Sequence, residues 1–195
     1  MKTVETMIIE SILLDSCFGS NPKLAREYGT CEVTIDFQRN GNGKELVDFI
    51  SYDARKDVFR CYEIKVSMSD FKSKAKKSWY GDYNYLVITD ELYKQQSLDD
   101  WKSQIPDGVG IIVVHCESYW KETVWKAKKR DVDQIVKDML LKSMLRSLFY
   151  QNVNSAFYLR DMRAATADAE TALQNTAVGG GTTSDRLDIL SGDRW

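Results

Sequence analysis

Two short runs constrain this chain most. "YNYLVIT" at 83–89 and "VGIIVVH" at 109–115 are apolar almost throughout. Strands that face solvent on one side alternate apolar and polar residues, whereas strands covered on both faces read as continuous apolar runs. The two runs flank "SLDDWKSQI" at 97–105, which reads as a short helix stopped by "PDG". Buried strands separated by a helical connection predict a mixed sheet with helices packed on it, an α/β (or α+β) fold.

Upstream, "CEVTIDFQ" at 31–38 and "ELVDFISY" at 45–52 are β-prone, and "RNGNGK" at 39–44 lies between them. Asn-Gly between two such runs marks a hairpin, because both residues tolerate positive φ. A second turn, "DARKD" at 53–57, leads into "VFRCYEIKV" at 58–66, which gives three strands in an antiparallel meander. Residues 3–17 carry Val4, Met7, Ile8, Ser11 and Ile12 at helical spacing and predict an amphipathic helix. "SDFKSKAKKSW" at 69–79 reads as a helix capped by Ser69, and "ETVWKAKK" at 122–129 as an edge strand. From 131 to 151 apolar residues recur at helical spacing, and the Ala-rich stretch 156–177 continues it. "GGGTT" at 179–183 breaks the pattern. The organisation expected is a core over 1–130, a helical extension over 131–178 and a tail over 179–195.

Composition excludes several classes. The 195 residues are 43% hydrophobic, enough for one domain with a real core. A net charge of −2 gives no global field for nucleic acid, so such binding must come from local patches. Cys17, Cys31, Cys61 and Cys116 are far apart and form no CxxC, which fits reduced thiols and a cytoplasmic location. "MKTVETMIIESILLDS" is broken by Glu5 and Glu10 and predicts neither a signal peptide nor a membrane span.

The chemistry centres on "FRCYEIKVSMSDF" at 59–71. With a period of two, Cys61, Glu63 and Lys65 share one face of their strand, and Tyr62, Ile64 and Val66 the other. Asp48 lies on the preceding strand, in a register that sequence does not fix. If Asp48 and Glu63 converge, their mutual repulsion calls for a cation. A hard divalent ion such as Mg²⁺ takes oxygen ligands, commonly one or two carboxylates with water and phosphate. The Ile64 carbonyl is a further candidate oxygen. Lys65 could orient an attacking water, stabilise charge on a pentavalent phosphorus, or lower the pKa of the nucleophile. The plainer reading is a structural Glu63–Lys65 ion pair, since a bare Glu-x-Lys occurs roughly once by chance in a chain of this length.

The wider order is more selective. Asp48, Glu63-Ile64-Lys65, Ser67, Asp70-Phe71, the lysines from Lys72 to Lys77, Trp79, Tyr83 and Tyr85 to Val87 follow one another as in the PD-(D/E)xK, or restriction-endonuclease-like, superfamily. Over about residues 28–115 the chain resembles its MmcB-type DNA-repair nucleases. That resemblance implies a metal-dependent nuclease acting on DNA, with Mg²⁺ or Mn²⁺ on Asp48 and Glu63 and with Lys65 catalytic. It implies a further carboxylate from the first helix or strand, for which Glu10 is preferred over Glu32. Val47 stands where the pattern has Pro, and the resemblance leaves the extension after 131 unexplained.

Lys72, Lys76 and Lys77 are candidate phosphate contacts or a solvated basic face. Trp79, Tyr80, Tyr83 and Tyr85 could stack on bases or fill the core. "WKAKKR" at 125–130 is a second basic stretch, and His115, the only histidine, reads as a satisfied residue at a strand end. The helix over 132–149 carries a Met and Leu stripe that reads in part as core, while its length and Ala-rich continuation would let it extend and pair with a second copy as a homodimer. That many nucleases of the superfamily act as dimers is analogy only. The competing function is a catalytically silent module of the same fold that binds DNA or a protein.

Overall fold

The structure is a computed structural model that describes residues 2–19, 25–35, 45–73 and 79–178, with side chains to 167. The chain divides into two compact units, Met1–Tyr150 and Gln151–Trp195.

The first unit is built on a six-stranded sheet of order β1-β2-β3-β4-β5-β6. The strands are β1 (Glu27–Ile35), β2 (Glu45–Asp53), β3 (Val58–Lys65), β4 (Tyr83–Thr89), β5 (Gly110–His115) and β6 (Trp120–Trp125). β1, β2 and β3 pair antiparallel, as the two turn signals require. β3–β4 and β4–β5 pair parallel, and β6 returns antiparallel to β5. The fold is therefore α/β with a mixed sheet, and the two apolar runs are adjacent interior strands, β4 and β5. The Asn-Gly turn at 39–44 lies outside the described residues.

Helix α1 (Val4–Phe18) covers one face of the sheet. The Thr3 side chain accepts from the Thr6 N–H at its start, and Gly19 ends it at φ 59, a left-handed conformation that suits glycine. The face it buries differs from the expected one. Ile9, Ile12, Leu13 and Cys17 pack on Phe49, Tyr62, Ile64, Val87, Ile112 and Val114, while Val4 and Met7 stay exposed. "MIIESILL" carries two overlapping apolar stripes, and the sheet takes the one through Ile9, Leu13 and Cys17, with Ile12 beside it. Glu10, off that stripe, pairs with Lys2, which also reaches Glu32 of β1.

The opposite face is covered by three short helices: α2 (Met68–Phe71), α3 (Asp90–Tyr93) and α4 (Leu98–Ser103). They enclose Phe71, Leu86, Ile88, Leu92, Trp101, Ile111 and Val113. Trp101 is fully buried, and its indole N–H donates to the Tyr93 carbonyl at 3.0 Å. α2 departs from the expected 69–79 helix. Ser67, extended directly after β3, caps it by accepting from the Asp70 N–H, and Lys72 already stands at its C-terminal cap. Residues 74–78 lie outside the described residues. α3, capped by Thr89, was not expected, although Thr followed by two acids is a start signal. α4 has the capping box of Ser97 and Asp100.

Helix α5 (Gln134–Val178) is continuous, so the Ala-rich stretch does extend it. Its early turns belong to the first unit, where Leu140 and Met144 are buried among Val33, Ile35, Val47, Ile50, Phe59 and Cys61. In the second unit Phe157, Tyr158, Leu159 and Met162 are exposed. Residues 179–195 lie outside the described residues. Among the described residues no helix is long and apolar enough to cross a membrane.

Candidate active site

β2 and β3 set the site. Their pairing runs Asp53↔Val58 to Phe49↔Tyr62, and one further step in the same register opposes Asp48 to Glu63. At that step the Ile64 N–H donates to Asp48 Oδ2 at 2.7 Å. A carboxylate thus takes the place a backbone carbonyl would hold, and Asp48 is pinned to the middle of Glu63-Ile64-Lys65. The sequence left this convergence open.

The face assignment of β3 holds. Tyr62, Ile64 and Val66 pack under α1, and Cys61 lies in the opposite layer. Lys65 Nζ stands 3.0 Å from Glu63 Oε1 and 3.6 Å from Asp70 Oδ1. The Lys65 and Glu63 side chains are only 8% and 4% exposed, so little water screens the pair. Burial opposes the charge on Lys65, but the charge and hydrogen bond of Glu63, with Asp48 and Asp70, more than offset it; the net shift is upward. Lys65 is therefore an ammonium at neutral pH. Burial pushes the Asp48 carboxyl above the usual aspartate range, against the Ile64 N–H and the Lys65 charge, which pull it down.

β1 brings a third acid beside β2. Cys31 pairs with Phe49 and Val33 with Val47, so Glu32 falls opposite Asp48. Glu32 is left-handed, φ 52, which costs a residue with a Cβ about 1–2 kcal/mol. Its backbone is braced from α5, where the Ser147 hydroxyl donates to the Cys31 carbonyl at 3.0 Å and reaches the Glu32 carbonyl at 3.4 Å. Lys2 Nζ joins Glu32 Oε1 at 3.1 Å to Glu10 Oε1 at 2.6 Å. Among the described residues no group of three or more His, Cys, Asp or Glu side chains is placed to hold a metal ion. The structure so brings Asp48 to the Glu63-Ile64-Lys65 run, and it engages Glu10 and Glu32 with Lys2 beside it.

The other candidates separate clearly. Lys72 is exposed at the end of α2, and Lys76 and Lys77 lie outside the described residues. Trp79, Tyr80 and Tyr85 pack on the core, and Tyr83 lies under the Arg60 guanidinium at 5.6 Å. His115 is satisfied: Nε2 is 3.3 Å from Glu122 Oε1, and the ring stacks on Trp120 at 4.6 Å. Cys61 is fully buried and its thiol is pushed up to about 12 by burial, which rules it out as a thiolate nucleophile.

Sequence reasoning gave Asp70 a place in the family pattern without a contact to Lys65. It missed Lys2 and Ser147 altogether. Asp70 follows Lys65 by one strand end and one helical turn, a spacing that could have suggested the contact. Lys2 and Ser147 carry no local signal, because their partners lie far along the chain.

No family model matches this chain, and no curated protein matches it. Among solved structures it is similar to SPO1766, a protein of unknown function from Silicibacter pomeroyi, at 16% identity and a TM-score of 0.46, over 77% of this chain and 88% of that one.

Proposed function

We propose that this chain is a metal-dependent nuclease of restriction-endonuclease-like fold that hydrolyses DNA phosphodiester bonds. Asp48 and Glu63 would hold Mg²⁺ or Mn²⁺ with the Ile64 carbonyl, and Lys65 would serve the attacked phosphate. The observation that carries the reading is the 2.7 Å bond from the Ile64 N–H to Asp48 Oδ2. Chance supplies a Glu-x-Lys easily; it does not supply a second carboxylate fastened between the two charged residues.

The residues fit such an ion. The donors are all oxygen, and Asp48 is a carboxylate whose ionised form burial disfavours, a penalty that a cation reverses. Two carboxylates suffice for Mg²⁺, which usually keeps several waters. When bound, the ion would polarise the phosphoryl oxygens and acidify a bound water. Lys65 would act beside the ion, and the water's proton would pass to bulk solvent. The part of Lys65 is to orient the water by donating to it and to face the negative charge that grows on the phosphoryl oxygens. Glu63 and Asp70 fix its direction. Exposed Lys72 would grip the DNA backbone, with Lys76 and Lys77 joining it by their charge alone. A cytoplasmic location suits the four free cysteines.

The second reading is a silent module of the same fold that binds DNA or a protein. Favouring it, Lys65 already neutralises Glu63 at 3.0 Å, an arrangement complete without an ion. Leu145 and Phe149 on α5 are also 59% and 62% exposed, which suits a partner, a second copy among the candidates.

Cleavage of single-stranded, duplex and branched DNA, followed with Mg²⁺ or Mn²⁺ and with chelator, separates the two. The nuclease reading expects metal-dependent cutting that Asp48→Asn, Glu63→Gln and Lys65→Met abolish while the fold persists. Wild-type protein that binds DNA but never cuts it would favour the module, and Mn²⁺ binding unchanged by Asp48→Asn would remove the site.

A further inference from the structure

Lys2 stands just before α1 and engages two acids from different elements, Glu10 of α1 and Glu32 of β1. Those acids are not isolated from the site proposed above. Glu32 lies opposite Asp48 in the β1–β2 register. Burial raises the Glu10 carboxyl, the Lys2 hydrogen bond and charge lower it, and the charges of Glu32 and Asp48 raise it again. One ammonium therefore sits among acids that a divalent cation would otherwise find unbalanced.

We infer that Lys2 is a tethered counter-ion that competes with the divalent cation of the Asp48–Glu63 site. Its ammonium neutralises Glu10 and Glu32 and repels a second positive charge from the neighbouring Asp48. Without that charge the same acids present a more negative surface to the ion. The inference rests on the metal reading above and adds to it a regulator of affinity outside the ligand set. Lys2 is a tuning residue: it pairs with Glu10 and Glu32, the candidates for a further carboxylate, and not with Asp48 or Glu63.

The test is Mn²⁺ binding, read from the electron paramagnetic resonance signal of the free ion, with the full chain at low ionic strength. Lys2→Gln removes the charge and leaves an amide donor on a shorter side chain; Lys2→Met removes both charge and donor. Because Lys2 is about one-third exposed, its effect is that of a screened pair, and both variants are expected to bind Mn²⁺ roughly fivefold tighter. Lys2→Arg should match wild type, and the difference should shrink as salt is added. Unchanged or weaker binding in Lys2→Gln, with Asp48→Asn still abolishing binding, would overturn the role of Lys2 and leave the metal site standing. Mn²⁺ binding that survives Asp48→Asn would overturn the metal site, and the role of Lys2 with it.

Discussion

Replacing Lys65 with Met removes an ammonium and keeps much of the side-chain length. The ammonium lies 3.0 Å from Glu63 Oε1, and both side chains are nearly inaccessible. Removing one partner of a buried pair strands the other charge and costs about 3–5 kcal/mol. Asp70, on the far side of Lys65, is 45% exposed, so water reaches part of the cluster and favours the lower end, about 3 kcal/mol. In a chain of this size that corresponds to a fall in Tm of about 6–12 °C. Urea unfolding at pH 7, followed by tryptophan fluorescence, measures it. Glu63→Gln with Lys65→Met removes both charges and should recover most of the loss, giving a coupling of about 2 kcal/mol. The pH dependence follows from the raised Lys65 pKa. Its contribution is complete below the usual lysine value of 10.5 and fades as pH rises through the higher folded value. The gap between variant and wild type should therefore be flat across neutral pH and close only in strong alkali. Saturating Mn²⁺ should restore part of the stability of Lys65→Met, because an ion that binds only the folded state shifts the balance toward it. A cost under about 0.5 kcal/mol with zero coupling would refute the buried pair and the charge argument built on it.

Three further outcomes are expected. Asp48→Asn should be more stable than wild type at pH 7. The carboxyl's raised pKa means its contribution is full below 3.8 and lost as pH rises through the folded value, so the advantage should vanish on acidification; Asn Oδ1 still accepts the Ile64 N–H. Equal melting temperatures across that range would contradict it. Gly110→Ala should destabilise by at least about 1 kcal/mol, because a Cβ there would stand 2.6 Å from both the Ala127 nitrogen and the Tyr85 ring; thermal melting is the check. Cys17, Cys31 and Cys61, each pushed up to about 12 by burial, should resist a thiol reagent at pH 8 until the protein unfolds. Fast labelling of any of them in the native chain would show its environment to be more open.

The strands were legible because their cues are local. The apolar runs at β4 and β5, the turn at 53–57 and the period of two in β3 place Glu63 and Lys65 on one face without any knowledge of tertiary structure. What could not be read depended on tertiary choice. α1 offers two apolar stripes, and only packing on Phe49 and Tyr62 selects the one through Ile9 and Leu13. Ser67 and Ser69 both suit a helix start; the extended exit of β3 settles on Ser67. The bond that brings Asp48 to the Ile64 amide needed the register, and the register needed the β2–β3 ladder. Lys2 and Ser147 meet β1 across long stretches of chain, where no periodicity points.

The Asp48–Ile64 bond has a consequence for how the molecule assembles. Asp48, Glu63 and Lys65 lie on one antiparallel pair whose strands are joined by a four-residue turn. The parallel strands β4 and β5 can join only after their helical crossovers close, and pairings over longer loops are slower to form. The polar centre therefore belongs to the short-range part of the sheet and the apolar centre to the long-range part. In pulsed hydrogen exchange during refolding, the Ile64 amide should gain protection no later than those of Ile111 to Val114. A chain stopped before β4 would then already hold its charged residues in place, with nothing yet to shield them from water.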